Sequence, residues 1–100
     1  MMFGSTMSDS LRAGDFADLP DGAMRRVDGV GTHGAVVCRV KGELFALDDN
    51  CSHRDARLSE GRLRNHTITC PVHGAQFDVR TGEHKGPPAP CAVRCWPIEA

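Results

Sequence analysis

No apolar run of about 18 residues occurs anywhere in this 100-residue chain, which excludes a membrane-spanning helix. The first ten residues hold no Lys or Arg and no hydrophobic stretch of signal-peptide length, so nothing marks the start for secretion. Arg25-Arg26 is internal and no hydrophobic segment follows it, so it is not an export signal either. A cytoplasmic protein is the expectation. An excess of one charge is missing too: 12 basic residues stand against 13 acidic ones, interspersed, leaving no footprint for nucleic acid or an anionic membrane. Apolar material is scarce, with Leu, Ile, Val and Phe supplying only 20 residues, which predicts a thin core in need of a staple. At this length there is no second core, and a self-contained oxygenase or dehydrogenase is excluded.

Room for long helices is also lacking. Eleven Gly and six Pro interrupt the chain, and the longest window free of both, Glu43 to Glu60, is filled with Asp, Asn, Ser and Cys. What remains is strand-like: Ser10 to Phe16, Met24 to Val30, Ala35 to Val40, Leu44 to Asp48, His66 to Cys70, Gln76 to Val79 and Ala92 to Ile98. The fold class is therefore all-β, with a hairpin predicted around Lys41-Gly42-Glu43. Residues 1–8 are set aside as a disordered or added start, leaving 9–100 as a single domain. The polar, turn-rich stretches fall at Asp48 to Arg57, Cys70 to Ala75 and Lys85 to Pro90.

Five cysteines in a reducing compartment read as thiols or metal ligands before disulfides, and an odd count cannot close into internal pairs. Cys51-Ser52-His53 is followed after sixteen residues by Cys70-Pro71-Val72-His73, two compact Cys/His pairs on separate loops. That is metal-ligand spacing. A zinc site usually opens with two cysteines on one knuckle and places its histidines on a helix, and neither feature is present. A 2Fe-2S cluster of mixed ligation accounts better for one Cys and one His per loop: Cys51 and Cys70 on one iron, His53 and His73 on the other.

These residues resemble the Rieske ferredoxin family. The resemblance runs through Cys51 to Gly61, Ile68 to Asp78 with its Gly74-Ala75-Gln76-Phe77-Asp78 segment, Thr81-Gly82-Glu83, the prolines from Pro87 to Pro90 and Trp96-Pro97-Ile98, covering roughly residues 10 to 99. It implies stacked antiparallel sheets with a small cluster-binding subdomain, whose two ligand loops are covered on one side by the proline loop. Ala56 and Val72 occupy the positions at which the respiratory and photosynthetic members carry a loop disulfide, so the soluble ferredoxin type is implied. The implied role is a one-electron carrier between a flavin-dependent ferredoxin reductase and the terminal Rieske oxygenase of an aromatic-ring dioxygenase system, itself not an enzyme. Two other readings stay open: the small Rieske-like subunit of a nitrite reductase, and a structural zinc-binding interaction module.

Charge sets the redox expectation. Two ferric ions, two sulfides and two thiolates sum to zero beside neutral imidazoles, and an electron is added more easily to a neutral centre than to the dianion that four thiolates would give. In the high-potential members of the family a Ser hydroxyl and a Tyr hydroxyl donate to the cluster sulfurs. The equivalent positions here are Ala75 and Phe77, and the chain has no Tyr at all. A midpoint near the low end of the Rieske range, roughly -150 mV, follows.

Arg54, Leu58, Pro71, Val72, Pro87 and Pro88 are expected to ring the cluster tip as a small docking patch. Gly74 is read as giving backbone N–H groups access to the sulfides or as an ordinary turn glycine. Phe77 reads as a core anchor and Asp78 as a turn acceptor. Cys38 reads as a small core residue. His33, His66 and His84 read as surface histidines, and Cys91 and Cys95 as thiols too far apart along a strand to pair.

Overall fold

The computed structural model describes residues 11–50, 56–71, 74–85 and 93–99. The described residues are built of eight short strands and two 3-10 turns: β1 (Leu11–Arg12), a turn at Ala13–Phe16, β2 (Met24–Val27), β3 (Ala35–Val40), β4 (Glu43–Asp48), a turn at Leu58–Glu60, β5 (Arg62–Arg64), β6 (Thr67–Thr69), β7 (Gln76–Asp78) and β8 (Ile98–Glu99). Strands β2-β3-β4 form one antiparallel sheet and β5-β6-β7 another. The all-β class and the stacked antiparallel arrangement are as expected, except that β1 and β8 pair in parallel.

β3 explains how so little apolar material suffices. Its side chains alternate, as strand geometry dictates, and both sets are buried. Val36, Cys38 and Val40 face a core shared with Leu47, Leu58, Ile68, Cys70, Ala75, Phe77, Val79 and Val93. Ala35 and Val37 face a second core with Leu11, Phe16, Leu19, Val30, Ala46 and Trp96. One central strand thus serves two thin cores, the first of which joins the two antiparallel sheets; the expectation that a chain of this length has no second core is corrected, because β3 buries both of its faces and so supplies apolar residues to each. Cys38 is a core residue as expected, with no exposed surface, and burial pushes its thiol up to about 12.

The hairpin forms with Lys41 and Gly42 alone at its tip, both at positive φ (52° and 84°), so that Val40 pairs with Glu43. Two left-handed residues make a turn whose twist matches that of its strands. Two expected strands lose only their ends, His66 to Cys70 forming β6 and Gln76 to Val79 forming β7, and three are much shorter than their patterns. Ser10 to Phe16 yields only β1 before the chain turns; Leu11 and Phe16 are an odd number of residues apart, and only a turn lets both reach the same core. Arg39 holds that turn, its guanidinium donating to the carbonyls of Leu19 (2.6 Å) and Phe16 (2.8 Å). Met24 to Val30 stops at Val27, before the turn at Asp28-Gly29. Of Ala92 to Ile98, Arg94 to Trp96 run along the open edge of β4, where Asp48 N–H donates to Arg94 O (2.8 Å) and Trp96 N–H to Ala46 O (2.9 Å). The Trp96 indole N–H also donates to Asp48 Oδ1 at 2.6 Å.

β5 was not expected as a strand. Its Arg-Leu-Arg pattern does alternate, with Leu63 turned toward the first core, but three residues are too few to register against charged flanks. No helix among the described residues is long and apolar enough to cross a membrane.

Candidate cluster-binding site

Of the four expected ligands, Cys51, His53 and His73 lie outside the described residues, as do Arg54, Val72, Pro87, Pro88, Cys91 and residues 1–8. Cys70 is described. It follows β6 directly and is 2% exposed, its side chain lying in the same buried cluster as Ala75 and Phe77. Cys70 N–H donates to Ala75 O at 2.7 Å, one rung beyond the Thr69↔Gln76 pair, so the β6-β7 ladder closes the neck of the loop that carries Pro71 to Gly74.

The other two turn-rich stretches have necks as well. Asp49, at the end of β4, is 2% exposed and takes three hydrogen bonds. Its carboxylate accepts from Ser59 N–H (2.6 Å), Ser59 Oγ (2.6 Å) and the Arg26 guanidinium (2.7 Å). Ser59 belongs to the second 3-10 turn, so this carboxylate ties together the two ends of the segment that contains Cys51 and His53. The hydrogen bond to Asp49 raises the Arg26 pKa above its ordinary value. At the third stretch, Val93 N–H donates to Gly82 O (2.8 Å) where the chain leaves and re-enters around the proline segment. Asp49, Ser59 and Arg26 were not singled out in the sequence: a polar residue two positions from Cys51 carries no periodic signal, and Arg26 comes from a strand 23 residues away.

Close approach is built in beside Cys70. A Cβ on Gly61 would overlap the Thr69 carbonyl oxygen and press on Pro71, so only glycine lets the chain enter β5 against that neck. Gly74 has φ +70° with open space around it, a conformation that glycine adopts at no steric cost. Phe77 has no exposed surface, and Asp78 Oδ1 accepts from Arg80 N–H at 2.9 Å, confirming core anchor and turn acceptor.

Leu58 is a correction. It is fully buried, because the 3-10 turn tucks it against the first core, and it therefore cannot belong to an exposed docking patch; Pro71 is exposed and can. His33 and His84 are exposed as expected, whereas His66 is half-buried with its ring edge-on to Phe45, centroids 5.6 Å apart. Cys95 is an exposed thiol whose pKa is raised by partial burial first and by Asp78 and Asp48 next.

The donor set and its surroundings fit an iron-sulfur cluster: a buried thiol at a pinched loop, a glycine beside it, and a second loop with a closed neck bearing the other Cys/His pair. The profile of the Rieske [2Fe-2S] domain matches residues 10–97. The chain belongs to the Rieske [2Fe-2S] domain family. It is 43% identical over 82 residues to the ferredoxin component of biphenyl 2,3-dioxygenase from Rhodococcus jostii, covering 82% of this chain and 76% of the relative. It is 42% identical to the 3-phenylpropionate/cinnamic acid dioxygenase ferredoxin subunit of Photorhabdus laumondii, covering 81% and 76%. Among solved structures, a chain in the complex of reduced oxygenase and oxidized ferredoxin of carbazole 1,9a-dioxygenase superposes with TM-score 0.76 at 36% identity, over 87% of this chain and 78% of that one. A ferredoxin of Sphingomonas yanoikuyae gives TM-score 0.75 at 33% identity, over 81% and 79%. This Rieske protein is of the ferredoxin kind, with one 2Fe-2S cluster as its cofactor, and it carries electrons rather than transforming a substrate.

Proposed function

We propose that this Rieske protein passes single electrons from a flavin-dependent ferredoxin reductase to the terminal Rieske oxygenase of an aromatic-ring dioxygenase system, in the cytoplasm. The observation that carries the reading is the buried Cys70 at a pinched β6-β7 loop, inside a chain more than 40% identical to ferredoxin components of such systems. Cys51, His53, Cys70 and His73 are the residues that would hold the cluster, and the cluster when bound supplies a one-electron couple.

The protein's part is to hold, shield and present. Cys70 and its neighbours Ala75, Phe77 and Ile68 lie in a water-poor cluster, so charge gained on reduction is placed next to apolar groups. The Asp49 carboxylate and the Cys70-Ala75 bond hold two loop necks, which limits rearrangement between redox states and so favours rapid electron exchange. Exposed Pro71 stands at the surface beside the neck, where a partner can approach. Encounters of this kind are small and transient, and a modest patch suffices. The expected result is a brown protein with two irons and two acid-labile sulfides per chain and a rhombic EPR signal on reduction. It should mediate turnover between a reductase and an oxygenase. A colourless protein with one zinc would overturn the proposal.

A further inference from the structure

The outer face of the β5-β6-β7 sheet is unlike the rest of this nearly neutral chain. Strand alternation turns Leu63, Ile68 and Phe77 inward and sends Arg62, Arg64, Thr67, Thr69 and Gln76 outward. Together with Arg80 and Lys85 they line a groove of about 590 Å³. The carboxylates on this side are Asp78 and Glu83, whose backbones pair across the edge where the Asp78 N–H donates to Glu83 O, and Glu60, which lines the hollow beside Arg62. Four cations against three carboxylates leave this side at +1 on a chain of net charge -1, and among the described residues the groove itself is lined by the four cations and no carboxylate.

The cations are not equally engaged. Arg80 spends its guanidinium on Asp78, at 2.9 and 3.0 Å, and this pairing holds the Asp78 carboxyl below its usual range. Lys85 donates to the neutral Thr67 hydroxyl at 2.7 Å and forms no ion pair among the described residues, though its charge also acts on Asp78. The side chains of Arg62 and Arg64 are exposed and make no ion pair or hydrogen bond among the described residues. The groove also leads to the site. Arg62 and Thr69 line a second hollow together with Glu60, Cys70, Pro71 and Gly74, so the basic groove adjoins the neck of the ligand loop with one carboxylate, Glu60, beside Arg62.

Resting on the electron-carrier reading, we propose that this face is the electrostatic docking surface for a protein redox partner that carries carboxylates beside its own electron-exchange site. Arg62 and Arg64 steer and register the encounter, with Lys85 assisting. Fixed positive charge next to the exchange point raises the encounter rate with an acidic surface and does so in proportion to how little salt screens it.

The test is stopped-flow measurement of the two half-reactions with the holoprotein: reduction by its flavin reductase and reoxidation by its terminal oxygenase, between about 20 mM and 500 mM salt. In Arg62→Glu/Arg64→Glu one half-reaction should slow by about tenfold at the lowest salt and come within about twofold of wild type at the highest. Iron content and EPR signal should not change, and the midpoint potential, measured in parallel at each salt concentration, should fall only slightly, because exposed charges act weakly through water. Arg64→Glu alone should slow the reaction while Lys41→Glu, the same change in net charge at the distant hairpin tip, should not. Equal rates for the double variant and wild type at every salt concentration would overturn the docking surface, as would a slowing that salt does not relieve. A wild-type holoprotein that exchanges electrons with neither component would instead refute the carrier reading beneath it.

Discussion

Replacing Asp49 by Ala tests the idea that one buried carboxylate closes the neck of the loop containing Cys51 and His53. The substitution removes three charge-assisted hydrogen bonds of 2.6 to 2.7 Å and leaves the Ser59 N–H, the Ser59 hydroxyl and one side of Arg26 without a partner. Breaking a buried ion pair from one side costs roughly 3–5 kcal/mol. Arg26 is 25% exposed and keeps Asp28 at 2.9 Å, which places the expected loss near the lower end, about 3 kcal/mol. Against a total stability of roughly 5–15 kcal/mol, that lowers Tm by about 15 °C for a domain of this size. The loop should also hold metal less well, so Asp49→Ala purified at room temperature should carry well under full iron. Asp49→Asn keeps an acceptor for Ser59 and should lose about half as much, and Ser59→Ala, which deletes one hydroxyl, about 1 kcal/mol. Thermal melts with parallel iron analysis provide the readout. An Asp49→Ala protein with full iron and a Tm within a few degrees of wild type would show that the carboxylate does not hold the neck. A double-mutant cycle with Arg26→Ala should return a coupling of at least about 1 kcal/mol.

Cys70→Ala should abolish cluster assembly and leave an unstable apo chain, visible as loss of colour and of cooperative melting. Gly61→Ala should lower cluster content without touching a ligand, because its Cβ overlaps the Thr69 carbonyl beside Cys70; normal iron loading would refute the close approach. Ala75→Ser and Phe77→Tyr place hydroxyls in the buried cluster that contains Cys70, and each should raise the midpoint by several tens of millivolts, a hydrogen bond of about 1.5 kcal/mol being about 65 mV for one electron. Voltammetry decides this, and a wild-type midpoint well above zero would refute the ferredoxin-type assignment. Cys38, whose folded pKa of about 12 exceeds its ordinary 9.0, contributes stability that is fully present below pH 9 and is lost as pH rises toward 12, at up to about 1.4 kcal/mol per unit. Denaturant melts of wild type and Cys38→Ala between pH 8 and 11 should therefore show a steeper alkaline loss in the wild type. Iodoacetamide should label exposed Cys95 well before Cys38.

The Cys/His pairs, the all-β class and the hairpin at Lys41-Gly42 were legible in the sequence because each depends on neighbours in the chain: ligand spacing within a loop, glycine and proline punctuation, and the alternation of Ala35 to Val40. The charge of each residue along β5 was equally plain, but its meaning was not. Only the sheet sets Arg62 and Arg64 on one face with Arg80 and Lys85 and puts that face next to Cys70. Leu58 was misplaced for the same reason, since a loop leucine looks exposed until a 3-10 turn folds it inward. The bracket of Asp49, Ser59 and Arg26 spans elements far apart in sequence. Local spacing wrote the two Cys/His pairs into the chain; the long-range packing of two thin cores on β3 decided what closes the necks of the loops that carry them.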